Sequence, residues 1–365
     1  MKVLFVITGL DVGGAERQVM DLSEKLIQKG NSVTVAYFLG EQKLKNKNNK
    51  VEIVSLGKKR KSFFAFVFGF FSLITLINRI KPDVVHAHMF HSIIIARFSR
   101  IFTRIPKLVC TSHSSYDGGK MRMFAYRITS FLGDVFTNVS QKAVDNLESR
   151  KAARKGTMIA VLNGISVDSF RYSPEKRAEH RLKLGGNNKK LILAVGRFHE
   201  AKDYPNLLNA FSLICNNRND VELWIVGDGP LKKKIELLIS ELKLHDTVKL
   251  LGIRNDIPDL MSAADVYALS SAWEGFGLVV AEAMATERVV VATDCGGVKE
   301  VVGDCGFLVP ISNSTLLAEA IENAISLSET ARRELGCKAR LRIESNYSIG
   351  LVTQKWLAIY SGAYK

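Results

Sequence analysis

Apolar residues along this chain fall into two alternating rhythms. Short β-branched runs read as buried strands, and between them apolar positions recur three and four apart, as on helices. "KVLFVI" (2–7) is the first strand run. "GAERQVMDLSEKLIQKG" (14–30) follows, with Val19, Leu22, Leu26 and Ile27 on one helical face and Gly30 to stop it. "SVTVAYF" (32–38), "VEIVSL", "DVVHAH", "KLVCTSH" and "DVFTNVS" continue the β series, with apolar helical stretches between them. Strands alternating with helices predict parallel βαβ units with right-handed crossovers.

The series restarts in the second half. "KLILAVGR" (190–197) is a strand ending in Gly-Arg, and "VELWIVGDGP" (221–230) is a strand entering a glycine-rich turn. "LKKKIELLISELKL" supplies a helix, and "TVKLLG", "DVYALSS" and "RVVVATD" are further β runs. The expected class is α/β, with two doubly wound Rossmann-like domains. Asn-Gly and Pro in "VLNGISVDSFRYSP" (161–174) place the boundary there. This predicts a first domain over 1–165, a second over 166–346, and a last helical segment over 347–365. That segment carries Trp356 and Tyr360 and could pack back across the junction.

Composition narrows the picture. The chain has 365 residues, enough for two cores, with 47% hydrophobic and 24% charged residues, as in a folded protein. Five widely spaced cysteines and no CxxC fit a reducing cytosol and suggest neither a disulfide framework nor a zinc site. "MKVLFVITG" lacks a small-residue cleavage site and reads as a strand, not a signal peptide. Charge is uneven: residues 1–165 carry 26 Lys+Arg against 11 Asp+Glu, whereas 166–365 carry 25 of each, so the whole net +15 lies in the first half. Either this is a matter of solubility or the first half faces something anionic. Without a nucleic-acid-binding motif, lipid or lipid-linked phosphate ranks above nucleic acid.

Chemistry should sit beyond the carboxyl ends of the strands. "TGLDVGGAE" (8–16) places Gly13 and Gly14 at the start of the first helix, as a tight turn or an anion site; it is not GxGxxG, which argues against a Rossmann oxidoreductase. "GRFHEAKDY" (196–204) puts Arg197 and Lys202 just after a strand, as a solvated loop or a diphosphate clamp. In "SSAWEGFGLVVAEAMA" (270–285), Gly275 and Gly277 break the periodicity and a helix runs from Leu278. Glu274 then precedes a helix N-terminus and Glu282 lies more than a turn inside, where carboxylates can accept hydrogen bonds from sugar hydroxyls.

Glu274 and Glu282 form an E-x7-E pattern, and the whole chain resembles the family 4 glycosyltransferases, retaining enzymes of the two-domain GT-B fold, of bacterial surface-polysaccharide type. The resemblance is carried by "GGAER", "PDVVHAH" (82–88), "SH" (112–113), "NGISVDSF" (163–170), "GRFHEAKD", "VGDGP" (226–230), "DIPDLMSAADVYALSSAWEGFGLVVAEAMA", "VVVATDCGGVKEVV" and "GFLVP" in that order. It implies two domains facing a cleft. It assigns Glu282 to the donor ribose, Glu274 to the transferred sugar, and the amides of Phe276, Gly277 and Leu278 to sugar and diphosphate. Arg197 and Lys202 would neutralise the leaving diphosphate, Gly14 would approach it from the first domain, and His113 would lie near sugar and acceptor. The resemblance is imperfect at Ser166 and at Asp203, where the family has Asp and Gly.

The implied reaction moves a sugar from a nucleotide-diphosphate donor, UDP-linked for preference, to a lipid-linked or glycan acceptor in cell-surface polysaccharide, O-antigen or capsule synthesis. A nucleotide-sugar epimerase on the same fold is the alternative, and a non-catalytic scaffold is a more distant one. With no Asp-x-Asp at a strand end, no metal and no further cofactor are expected, and Glu274 is not expected to act as a covalent nucleophile. "HAHMFH" (86–91) mimics a metal cluster, but His86 and His88 are expected to point oppositely along their strand; His88 can line the acceptor cleft. "KKRKSFFAFVFGFFSLITLINRI" (58–80) is too short to span a bilayer and is either a buried crossover helix or, the favoured reading, an interfacial helix with its basic flank on anionic lipid. The expected location is cytoplasmic, peripheral on the inner face of the plasma membrane.

Overall fold

The computed structural model describes every residue except Val12, Glu41, 43–49, 58–62, Ser115, Asn187, Tyr364 and Lys365, and the side chains of 63–65. The chain forms two compact units. One holds Met1–Gly164 and Ile349–Lys365, the other Ile165–Ser348.

The first unit is built on a seven-stranded parallel sheet. Its strands are β1 (Lys2–Gly9), β2 (Ser32–Leu39), β3 (Glu52–Ser55), β4 (Val84–His88), β5 (Lys107–Ser112), β6 (Val135–Asn138) and β7 (Met158–Ala160), in the order β3-β2-β1-β4-β5-β6-β7. The central strands are buried on both faces, which is why they read as unbroken apolar runs. Helices α2 (Phe63–Ile80), α3 (Phe90–Phe102), α4 (Lys120–Ile128) and α5 (Gln141–Ser149) share one core with the sheet, through Leu73 and Leu76, Ile93 and Ala96, Met123 and Tyr126, and Val144. Helices α1 (Gly14–Gln28) and α14 (Ile349–Ser361) share the other, through Val19, Leu22, Val352 and Trp356.

The second unit has six parallel strands: β8 (Lys190–Val195), β9 (Val221–Val226), β10 (Val248–Gly252), β11 (Val266–Leu269), β12 (Val289–Thr293) and β13 (Phe307–Val309), ordered β10-β9-β8-β11-β12-β13. Its helices are α6 (Pro174–Leu184), α7 (Tyr204–Asn217), α8 (Lys232–Glu241), α9 (Ile257–Ala263), α10 (Leu278–Ala285), α11 (Val298–Val302), α12 (Ser314–Ser326) and α13 (Glu329–Tyr347). At the amino end of β11, buried Asp265 gathers three guanidinium groups: Arg177 at 2.6 Å, Arg332 at 3.3 Å and Arg181. It also accepts from the Leu191 amide at 2.8 Å. Burial opposes ionisation of this carboxyl, but the arginines outweigh it and hold its pKa below the usual range. Both sheets reverse strand order once, between β1 and β4 and between β8 and β11. Among the described residues no helix is long and apolar enough to cross a membrane.

Candidate functional site

A doubly wound sheet opens a crevice where its strand order reverses, outside the carboxyl ends. In the second unit the loops leaving that point are 196–203 and 270–277, and they meet. Lys202 Nζ donates to Glu274 Oε1 at 2.6 Å, with the two side chains only 18% and 16% exposed. Ser271 Oγ donates to the same oxygen at 2.8 Å. Ser270 Oγ donates to the Lys202 carbonyl at 2.8 Å, and the Ala272 amide to the Ala201 carbonyl at 2.9 Å. Gly196 makes room for this arrangement: a Cβ there would lie 2.8 Å from Lys202 Cε. The Tyr204 hydroxyl donates to the Gly196 carbonyl at 2.9 Å. Burial, with the Glu274 charge, raises its pKa, so it stays a donor. Arg197 is exposed and makes no hydrogen bond or ion pair among the described residues.

Asp203, the departure from glycine, takes the left-handed conformation itself (φ 44°, ψ 51°) and caps α7 by accepting from the Asn206 amide. Aspartate tolerates that conformation better than most residues, so the loop keeps a glycine-like course. Ser166, the other departure, shapes a turn: its hydroxyl lies 3.0 Å from that of Ser169, and its carbonyl accepts from the Ser169 amide at 2.9 Å. "VGDGP" packs its glycines on the "GRF" backbone, where a Cβ on Gly229 would lie 2.5 Å from the Phe198 carbonyl oxygen.

Gly277 (φ 86°) turns the chain into α10, whose first residue is Leu278, and no side chain among the described residues caps that helix start. Phe276 is buried against Tyr347 at 5.6 Å between ring centroids. Glu282 is 3% exposed, in the stretch of α10 from Val280 to Ala285 that is buried all round. The residues 294–297, to which the sequence reading gave no role, support the whole turn. Gly296 (φ 54°) passes so close that a Cβ would lie 1.9 Å from the Glu274 carbonyl oxygen, and the Gly297 amide donates to the Gly275 carbonyl at 3.2 Å. Consecutive glycines just after a strand were the signal for it.

In the first unit the reversal point carries the loop before α1. Gly13 caps that helix in an extended conformation (φ −149°), and Gly14 is its first residue. A Cβ on Gly13 would meet the end of the Glu16 side chain at 2.4 Å, so the carboxylate lies back over the helix start. Beside it, β4 and β5 present histidines. Residues two apart on a strand share a face, and this corrects the expectation that His86 and His88 diverge: their rings lie 4.0 Å apart. His86 is held between the Tyr360 hydroxyl and Thr111 Oγ1, each at 2.7 Å. His88 Nδ1 lies 2.8 Å from His113 Nε2, which leaves Nδ1 of His113 as its outer ring nitrogen. His88 Nε2 is buried with no partner among the described residues. Burial, reinforced by the neighbouring rings, pushes His86 and His88 well below the usual histidine pKa, and burial lowers His113 to about 4. All three are therefore neutral near pH 7, and His113 offers a hydrogen bond without a charge. His91 turns away to stack on Phe66.

Comparison with known proteins bears on the fold and the family. A family described as "Glycosyltransferase Family 4" matches residues 12–169, and one described as "Glycosyl transferases group 1" matches 176–342. The chain is 26% identical over 306 residues to the phosphatidylinositol N-acetylglucosaminyltransferase GPI3 subunit of Saccharomyces cerevisiae, covering 80% of this chain and 67% of that protein. It is 26% identical over 296 residues to N-acetyl-alpha-D-glucosaminyl L-malate synthase of Bacillus anthracis, covering 78% and 75%. The crystal structure of Anabaena Alr3699/HepE in complex with UDP-glucose superposes with a TM-score of 0.87 at 22% identity, over 99% of this chain and 100% of that one. Fold and matches together define a glycosyltransferase of the GT-B class. The chain belongs to the family 4 glycosyltransferases.

Proposed function

We propose that this glycosyltransferase moves a hexosyl group, with retention, from a UDP-linked donor to a lipid-linked or glycan acceptor in the synthesis of surface polysaccharide, O-antigen or capsule, and that it does so without a metal ion. The observation that carries the reading is the Lys202–Glu274 pair, which joins the two loops at the sheet reversal. Transfer proceeds through an oxocarbenium-like state while charge builds on the departing phosphate. Arg197, with no competing partner, and Lys202, with three N–H donors of which one serves Glu274, supply positive charge to that phosphate. The uncapped start of α10, with the amides of Phe276, Gly277 and Leu278, adds donors. Glu274 accepts from hydroxyls of the sugar and Glu282 from the ribose. His113 serves the sugar and acceptor as a neutral hydrogen-bonding ring. Retention follows from attack on the face the phosphate leaves, the phosphate oxygen taking the acceptor proton.

The relatives support the choice of substrates. One solved relative holds UDP-glucose, and the yeast relative's name places its acceptor on phosphatidylinositol. A lipid-borne acceptor puts the enzyme at the inner face of the plasma membrane, with the cationic first half toward anionic lipid. The basic residues 58–61 of the interfacial helix expected over 58–80 lie outside the described residues. The test is a panel of nucleotide sugars, read first by thermal stabilisation and then by NMR of the product's anomeric centre, with and without EDTA. An axial donor giving an axial product at undiminished rate in EDTA is the expected outcome. Inverted product or loss of rate in EDTA refutes the mechanism, and an epimerised donor with no transfer product favours the epimerase.

A further inference from the structure

The outer sides of α2, α3 and α4 adjoin on one face of the first unit, because their inner sides all pack on the same sheet core. An outer face of an amphipathic helix is ordinarily polar. Here Phe68 and Phe71 on α2, Phe98 and Phe102 on α3, Phe124 on α4 and Phe131 in the 3-10 turn that follows are between 42% and 79% exposed. Every exposed phenylalanine among the described residues lies on this face. Single exposed apolar residues need no explanation, but a contiguous aromatic surface marks an interaction site. The patch is continuous from α2 to α3, since the Phe70 ring lies 5.3 Å from Phe71 and 5.6 Å from Phe102.

The charge around the patch selects its partner. Residues 63–132 contain nine Lys or Arg, two Asp and no Glu. Both aspartates are engaged internally: Asp83 accepts from the Lys2 amide at 2.7 Å, and Asp117 from Ser112 Oγ at 3.0 Å and from the Tyr126 hydroxyl. Arg104, Lys120 and Arg127 are exposed and make no ion pair among the described residues. A second copy of this chain would bring like charge against like. An anionic bilayer neutralises the cations and takes the rings into its headgroup boundary. We propose that the outer face of α2, α3, α4 and the turn at 130–132 rests on an anionic lipid bilayer. This rests on the membrane-borne acceptor proposed above and deepens it, because the contact spans three helices rather than one.

The test is co-sedimentation of the full chain with vesicles of phosphatidylcholine, with or without phosphatidylglycerol. UDP binding is measured in parallel as a readout of the donor site. Wild-type protein should partition at least about tenfold more strongly to the anionic vesicles, since each cation near such a surface adds attraction. Phe71→Ser/Phe102→Ser/Phe124→Ser/Phe131→Ser should lose that binding and keep UDP affinity. Should this variant not fold, Arg104→Glu/Lys120→Glu/Arg127→Glu must abolish the preference for phosphatidylglycerol. Wild-type protein left in the supernatant with both vesicles, or variants that pellet like wild type, overturns the proposal. So does a wild-type dimer that the serine variant converts to monomer without any change in vesicle binding. Vesicle binding without UDP binding would instead count against the donor assignment and leave the membrane face standing.

Discussion

Lys202 has two possible tasks, and replacing it separates them. Lys202→Ala removes the ammonium that sits 2.6 Å from Glu274. Glu274 then keeps Ser271 Oγ as a donor, at 2.8 Å. Truncating one side of a half-buried charged pair leaves its partner under-satisfied, which costs about 1–3 kcal/mol of stability. The effect on ligand is separate. One charge-assisted hydrogen bond to a diphosphate contributes about 1.5–3 kcal/mol, or roughly 10- to 150-fold in affinity. Lys202 can make that bond without leaving Glu274, because an ammonium has three donors. Calorimetric titration with UDP should therefore show the full loss for Lys202→Ala. Glu274→Gln, which keeps a side chain of the same shape, should bind UDP within about threefold of wild type and lose most of its turnover. If Lys202 only positions Glu274, the pattern changes: Lys202→Ala binds UDP normally, and its turnover defect does not add to that of Glu274→Gln. That result would refute the diphosphate assignment.

Gly296→Ala should be among the most damaging single-methyl changes in the second unit. It forces a Cβ to within 1.9 Å of a backbone oxygen at φ 54°, so a loss of at least about 2 kcal/mol is expected in urea unfolding, along with weakened donor binding; wild-type behaviour in both would sink the argument. Gly13→Ala meets only the movable end of Glu16 and should fold normally, with any defect confined to donor affinity. Asp265→Ala leaves three arginines facing one another around a buried gap and should cost about 3–5 kcal/mol in urea unfolding, while UDP affinity of the folded protein, read at low temperature, stays within about twofold. Acid should act through the first unit. His86, His88 and His113 have folded pKa values below the unfolded value near 6.5, so the unfolded chain binds more protons as pH falls below that point. Stability should then drop from pH 6.5 toward pH 4, with His113 alone accounting for about 3 kcal/mol at the lower end, and His113→Asn should flatten the slope.

What could be read in advance divides along physical lines. The expected strand runs all form strands: the central ones are covered on both faces and read as short unbroken apolar runs, whereas the much longer apolar run over 63–77 forms α2. Three-residue β7 and β13 escaped, since so short an edge strand has no period to detect. Within the site, the glycines were legible as breaks in periodicity, but not the contacts they permit. That Gly296 lies against Glu274, or that Gly196 gives room to Lys202, depends on loops from different strands and on distances no spacing encodes. The direction of His86 and His88 was a different matter: the period of two along a strand already puts both on one side, where their rings adjoin and lead to His113. The membrane face shows the same division in reverse. The apolar run over 63–77 stood out in the sequence, yet most of its strongest apolar positions on α2 could have belonged to a buried crossover helix. Only the packing of α3 and α4 alongside, with Phe102, Phe124 and Phe131 turned outward like Phe71, distinguishes a surface from a core. A single helix with a few exposed rings would be ordinary. Three adjacent helices exposing rings on the side away from their shared core, in a stretch almost without acidic residues, suit a partner that is both apolar and anionic, as the proposed bilayer is.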